Sequence, residues 1–248
     1  MYLTVKGLIL RVTNYNDHDA ILSILTHSHG KLAVKARGLR RKNSPLIAPC
    51  QLLAYSEFVL FEYRGMYTIN EAHTVELFHK LRSDLQKLSL GSYFAQVSEI
   101  LSQEDQPNPA LLSLVLNSLF ALSTLNVPEL LVKSVFELRC ACLAGYTPDL
   151  SSCIHCGNLM PDRFDVSAGH LECSSCRDQA SDGIRMPVSA GILDAIRYIC
   201  FCDPKQIFAF SVTADTLSTL SQLSELYLTT QLERGFSALD FYKTILLN

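Results

Sequence analysis

Gly30-Lys-Leu-Ala-Val-Lys-Ala-Arg-Gly38 alternates with period two. Leu32, Val34 and Ala36 fall on one side of an extended chain, and Lys31, Lys35 and Arg37 on the other. Apolar residues alternating with cations predict a half-buried strand with a basic outer face. Ser28-His-Gly30 before it has the make-up of a hairpin turn, with glycine at the left-handed position. Similar runs lie on both sides. Val5, Leu8, Ile9, Leu10 and Val12 sit in a β-branched-rich stretch, residues 19–26 follow a polar turn at 14–17, and residues 52–63 and 66–75 flank Arg64-Gly65. Five short antiparallel strands that close on themselves are the inventory of an OB barrel.

Beyond Val75 the period changes. Leu77, Leu81, Leu85 and Leu88 recur at helical spacing, and the pattern continues to Leu101. Gln106-Pro-Asn-Pro109 breaks it; residues 110–125 predict a largely apolar helix. Pro128 opens a helix over 129–144 and Gly145 ends it, following the usual asymmetry of helix termini. Ser189 starts a helix reaching about Phe201, Thr213 or Asp215 caps another ending near Gly235, and Ser237 caps a last short one. The expected fold class is α+β and multidomain: an N-terminal OB-fold β-barrel over 1–76, an α-helical domain in two parts over 77–150 and 183–248, and a four-cysteine zinc module inserted over 151–182. The helices on either side of the insert are expected to form one bundle.

The insert is marked by Cys153-Ile-His-Cys156, sixteen residues, then Cys173-Ser-Ser-Cys176. Two residues between cysteines let a tight knuckle aim both thiolates at one point, and two knuckles supply the four sulfurs of a tetrahedral zinc shell. Cys153, Cys156, Cys173 and Cys176 are therefore the expected ligands of one structural Zn²⁺. Four thiolates leave no open position, so the ion would be scaffolding. Two disulfides or a redox dithiol are the competing readings; neither an export signal nor a thioredoxin-like βαβ pattern accompanies them. His155 and His170 are near enough to substitute as ligands, although as exposed loop histidines they need no such role.

The 248 residues, 48% hydrophobic and 18% charged, suit a folded chain with a sizeable core. No basic-then-apolar leader and no membrane-length apolar run is present, and nine cysteines without an export signal point to a reducing compartment. The expected location is the cytoplasm, with the nucleoid, and no membrane association. Cys50, Cys140, Cys142, Cys200 and Cys202 read as small buried hydrophobes. The net charge of −3 hides a split: residues 1–80 hold ten Lys/Arg against six Asp/Glu, and the remainder eleven against eighteen. Such asymmetry suggests different partners for the two segments.

Lys31, Lys35, Arg37, Arg40, Arg41 and Lys42 fall within twelve residues with no acid among them. On a small barrel, a groove of this sign tracks a nucleic-acid backbone, and Tyr15, Tyr55, Tyr63 and Tyr67 are available for stacking. The competing reading is a solvated edge that discourages aggregation. No phosphate-binding glycine loop, dinucleotide fingerprint or nucleophile elbow is present. The expectation is a non-enzymatic binding protein.

The order of parts resembles a known family. The basic stretch Gly30–Gly38 with Ser44 comes first. Phe136-Glu-Leu-Arg and Leu143-Ala-Gly-Tyr146-Thr-Pro148 follow, leading into Cys153-x-x-Cys156-Gly157. This is similar to the bacterial DNA repair and recombination mediator family RecO. The resemblance implies an OB domain, a helical domain and a zinc module. It implies binding and annealing of single-stranded DNA, contact with double-stranded DNA, and loading of the RecA recombinase onto strands coated by single-stranded-DNA-binding protein (SSB). The partners implied are RecR, through it RecF, and the acidic, apolar-ended SSB tail. By position, the DNA contacts carry over to Lys31, Lys35, Arg37, Arg40, Arg41 and Lys42. The SSB tail would need a cation beside an apolar pocket, and Lys133 and Arg139 are the candidates. An RNA- or ribosome-associated OB/zinc protein is the alternative.

Overall fold

Five strands, β1 (Tyr2–Asn14), β2 (Ala20–Thr26), β3 (Lys31–Ala36), β4 (Tyr55–Tyr63) and β5 (Met66–Glu76), close into a barrel in the order β1-β2-β3-β5-β4. The computed structural model describes residues 1–179 and 183–247. The first strand is long enough to serve both sides, with Gly7–Asn14 pairing β2 and Tyr2–Leu8 pairing β4. A register shift between Ile9 and Arg11 lets it bend around the barrel. Closure comes from a short parallel pairing, Val34 with Tyr67 and Lys35 with Thr68. Inward residues of the alternation fill the interior: Ile9, Leu22, Ile24, Leu32, Val34, Phe58 and Leu60 are buried together. The β4–β5 hairpin turns on Arg64 and Gly65, both at positive φ (53° and 76°), which matches the right-handed twist of the flanking strands.

The helical part begins with a short α1 (His79–Arg82) and then α2 (Leu85–Leu101). Asp84 accepts hydrogen bonds from the Gln86 and Lys87 amides and starts α2 there, so the leucine period from 77 to 88 does not run through one helix. Leu85 is exposed, and the buried face is Leu90, Tyr93, Phe94 and Val97. Asn108 caps α3 (Pro109–Thr124), with the proline in the first turn.

The loop between α2 and α3 is pinned to the barrel. Lys31 N donates to Gln103 O at 3.0 Å, and Gly30 bridges Glu104. Gly30 has φ 63°, and a Cβ there would lie 2.5 Å from Gln106 O and 2.6 Å from Gln103 O. Both the backbone conformation and the space require glycine. Gly30→Ala is expected to destabilise the chain by about 2 kcal/mol, read as a lower urea midpoint with unchanged slope.

The remaining elements are α4 (Glu129–Leu143), β6 (Asp149–Cys153), β7 (Arg163–Asp165), β8 (His170–Glu172), β9 (Arg185–Pro187), α5 (Ala190–Phe201), α6 (Ala214–Gln231) and α7 (Ser237–Leu246). Ser189 and Thr213 cap α5 and α6 through their side chains. Phe236 occupies the cap position of α7, and Ser237 is instead its first residue and accepts from Gln96.

Two compact units result: Met1–Leu125 with Phe236–Asn248, and Asn126–Gly235. The helices on either side of the insert, α4 before it and α5 and α6 after it, do pack together, within the second unit. In the first unit α2 packs on α3, α7 and β1. In the second, α4 packs on α5 and α6, beside a four-stranded sheet in the order β6-β8-β7-β9. The expected module boundary at residue 182 lies outside the described residues. Within the second unit, Phe164 meets the Tyr227 ring edge-on at 5.3 Å, and Tyr227 Oη donates to Tyr146 O at 2.9 Å. Sheet, helix and the end of α4 are thereby held by one side chain.

Candidate nucleic-acid interface and metal centre

Barrel register assembles the first site. Tyr2 lies opposite Phe61, Phe61 opposite Thr68, and Thr68 opposite Lys35. Directly opposed residues project to the same side, so these four form one row across β1, β4, β5 and β3. Moving two residues along the strands adds Arg37, Tyr63, Met66 and Asn70 to that side. Together with Arg64 they line an open cleft of about 570 Å³. Tyr2, Phe61, Tyr63 and Met66 are all exposed, which is unusual for so many large apolar groups on one face. The Tyr2 and Phe61 rings sit 5.3 Å apart, and the Arg64 guanidinium lies 5.2 Å from the Tyr63 ring centre. Of the tyrosines predicted to stack, Tyr63 is in this cleft. Tyr15 lies under Lys35, Tyr67 packs against the barrel core and Tyr55 is half-buried. Tyr2, Phe61 and Arg64 were not anticipated.

The six predicted cations are not equivalent. Arg37, Arg40, Arg41 and Lys42 are exposed, and among the described residues no carboxylate pairs with them. Arg40 Nη1 does donate to Asn16 O at 2.7 Å, and the segment from Gly38 to Cys50 is wound in consecutive hydrogen-bonded turns. Lys35 sits 3.4 Å from Asp19 Oδ2 and 4.7 Å from the Tyr15 ring centre. Asp19 is held below the usual carboxylate range, chiefly by the Gly38 amide. Lys31 is turned away from the cleft: its Nζ donates to Glu99 O in the last turn of α2 at 2.8 Å. A cation there satisfies a helix C-terminal carbonyl. The basic face is thus narrower than the alternation implies, and Arg64 extends it.

The four knuckle cysteines do come together. Cys153 Sγ lies 3.9 Å from Cys176 Sγ, and Cys156 Sγ lies 3.8 Å from Cys173 Sγ. Their sulfurs all fall within 4.8 Å of one another. A tetrahedral ion with metal–sulfur bonds of about 2.3 Å has an edge of about 3.8 Å, so these two separations match such an ion and the remaining ones lie within about 1 Å of it. Disulfides, at about 2.05 Å, do not describe these separations, and all nine cysteines are free. The knuckle turns are closed by Gly157 N to Cys153 O and Cys176 N to Cys173 O. The Cys173 amide and the Asn158 side chain donate to sulfur at 3.3 and 3.2 Å.

Burial raises the Cys153 thiol, but amides of Cys156, His155 and Cys173 outweigh it and bring the thiol down to about 6. The Cys156 side chain and burial push Cys176 up to about 12. Sulfurs this close cannot all ionise unless a cation sits among them. The cluster could therefore hold a metal ion, with every coordination position filled by sulfur.

Lys133 and Arg139, expected as cations for an acidic partner, are internal. The Lys133 side chain is 2% exposed, with Nζ 3.0 Å from both Glu137 Oε1 and Glu225 Oε2. It also donates to Ser221 O at 3.3 Å. Burial raises the Glu137 carboxyl, against the pull of Lys133. Arg139 donates to Cys200 O at 3.2 Å and to Cys202 O, the free carbonyls at the end of α5. The Lys133 ammonium is enclosed by its partners, whereas the Arg139 guanidinium is half-buried and engaged with the end of α5. Ser221, the partner of Lys133 on α6, lies 88 residues further along the chain.

Comparison with protein families matches residues 1–78 to "Recombination protein O N terminal" and residues 82–240 to "Recombination protein O C terminal". The chain belongs to the RecO family. The "DNA repair protein RecO" of Acetivibrio thermocellus is 36% identical over 247 residues, covering 98% of this chain and 97% of the relative. That of Alkaliphilus metalliredigens is 30% identical over 248 residues, 99% and 100% of the two chains. That of Bacillus subtilis is 26% identical over 228 residues, 92% and 88%. The two RecO family matches meet between residues 78 and 82, at the passage from the barrel to the helices. No described helix is long and apolar enough to cross a membrane.

Proposed function

We propose that this chain is a DNA repair mediator that acts by binding rather than by turnover. Single-stranded DNA lies across the barrel face of Tyr2, Phe61, Thr68 and Lys35, and complementary strands anneal there. The observation that supports this most is the row itself: exposed aromatic rings flanked by Lys35, Arg37 and Arg64. Bases stack on rings whatever their sequence, while cations at the margins follow the phosphates. Arg40, Arg41 and Lys42 extend the positive surface toward double-stranded DNA. The row offers stacking and phosphate contacts rather than base-edge readout, so the reading is one of sequence-independent binding.

Family membership supports the further assignments. RecR, through it RecF, and the SSB tail are the partners, and the outcome is loading of RecA onto SSB-coated strands in the cytoplasm. With Lys133 buried and Arg139 engaged with the end of α5, another cation receives the SSB tail. The metal held by Cys153, Cys156, Cys173 and Cys176 is one structural Zn²⁺, the ion that best suits four thiolates in a closed tetrahedral set.

The test is annealing of complementary oligonucleotides, bare and SSB-coated, at two salt concentrations. Annealing should be accelerated by about tenfold or more at low salt, persist on coated strands, and weaken as salt rises. Absence of acceleration on bare strands at low salt would overturn the assignment.

A further inference from the structure

Beside the four cysteines lies a second set of ligands that the cysteine site does not use. His170 and Glu172 are two apart on β8, so their side chains share one face of the sheet. His155 is brought to the same place by the first knuckle, whose Ile154 amide donates to Leu171 O at 3.0 Å. Both imidazoles aim Nε2 at one oxygen: Glu172 Oε1 is 3.1 Å from His170 Nε2 and 3.4 Å from His155 Nε2. The rings are nearly perpendicular, at 86°, with centres 6.5 Å apart. Three residues thus each offer one ligand atom, all within 4.8 Å of one another.

We infer that His155, His170 and Glu172 form a second metal site, separate from the cysteine cluster, for a divalent ion of the zinc type. A tetrahedral ion bound by nitrogen and oxygen at about 2.0–2.1 Å has ligand edges of about 3.3 Å. The two nitrogen–oxygen separations already bracket that value. Two imidazoles and one carboxylate are a favoured donor set for such an ion, and they leave its fourth position open.

The carboxylate is built in rather than displayed. The Glu172 side chain is 4% exposed, and its other oxygen, Oε2, accepts from Arg185 Nε at 2.8 Å. That bond fixes the carboxylate with Oε1 facing the histidines, as an outer-shell partner orients a ligand. The histidine side chains are 21% and 23% exposed, so the set can be reached from solvent. The Arg185 charge opposes a dication. It is offset by Asp165 Oδ2, 3.7 Å from Arg185 Nη2, and by the neighbouring thiolates, whose four charges exceed those of one divalent ion. The competing arrangement is a protonated imidazole shared with Glu172 and no metal. It has the same contacts and the opposite outcome in a metal titration.

The test uses the full chain with its cysteine site already filled with zinc. Equilibrium dialysis against zinc chloride should show one further equivalent per chain. His170→Ala and His155→Ala should each weaken that equivalent about tenfold or more without releasing the first. The wild-type protein carries an independent readout that needs no variant. Cobalt(II) added to the zinc-filled chain should give visible d–d absorption without the near-ultraviolet thiolate charge-transfer band of a cysteine-bound ion. Uptake that stops at one ion per chain at saturating zinc would overturn the inference. So would a second equivalent that the histidine variants leave unchanged, or cobalt that enters only with the thiolate band.

Discussion

Cys153→Ser is expected to abolish the tightly held zinc and to cost more than about 5 kcal/mol of stability, because binding energy in such a site is folding energy. The reason lies in how little else holds the knuckle loops. Strands β7, β8 and β9 have three residues each, too short for a ladder that stands alone in water. Leu150, Phe164, Val166 and Leu171 bury the sheet against its own unit, but the knuckle loops leave Ile154, Leu159 and Met160 exposed, so the knuckles themselves depend on the ion. Cys153 is the best of the four to remove: it is 1% exposed, its sulfur accepts the Cys173 amide, and it is the thiol brought down to about 6. Elemental analysis after dialysis against a dilute chelator should find one zinc per wild-type chain and none in the variant. A wild-type chain whose melting does not respond to a strong chelator would show that the four sulfurs hold no ion.

How much of this was readable from sequence follows the range of each signal. The barrel strands announced themselves because period two over six or more residues is a local property, and β3 lies where Lys31–Ala36 alternates. The cysteine set was equally readable, since two-residue spacing fixes a knuckle before any tertiary contact forms. The sheet around it was not, because three-residue strands carry no period. The aromatic row was missed for a different reason. Tyr2, Phe61 and Lys35 lie in three strands, and only barrel closure through the β3–β5 parallel pairing sets them side by side. Alternation says which residues share a face of one strand; register between strands is decided by the whole barrel. Lys133 failed on the same ground: its acceptors on α6 are invisible from its own helix.

The second large effect expected is on DNA. Arg37→Glu combined with Arg64→Glu should weaken binding of a single-stranded oligonucleotide about a hundredfold or more at low salt, with the fold unchanged. Both residues line the cleft, and among the described residues neither pairs with a carboxylate, so reversing them breaks no internal ion pair. Lys31 and Lys35 would be poorer choices, because the first holds the end of α2 and the second holds Asp19. Charge and stacking can be separated by the salt dependence. If about four phosphates are contacted, the wild-type slope of log K against log salt is near −3 for a single strand, and losing two contacts lessens it by about 1.4. Phe61→Ala should instead cost about 1–3 kcal/mol and leave that slope as it was, because a stacked base releases no counterion. Full affinity in the double reversal would move the DNA off this face. A slope change in Phe61→Ala would mean that the ring positions the cations rather than the bases.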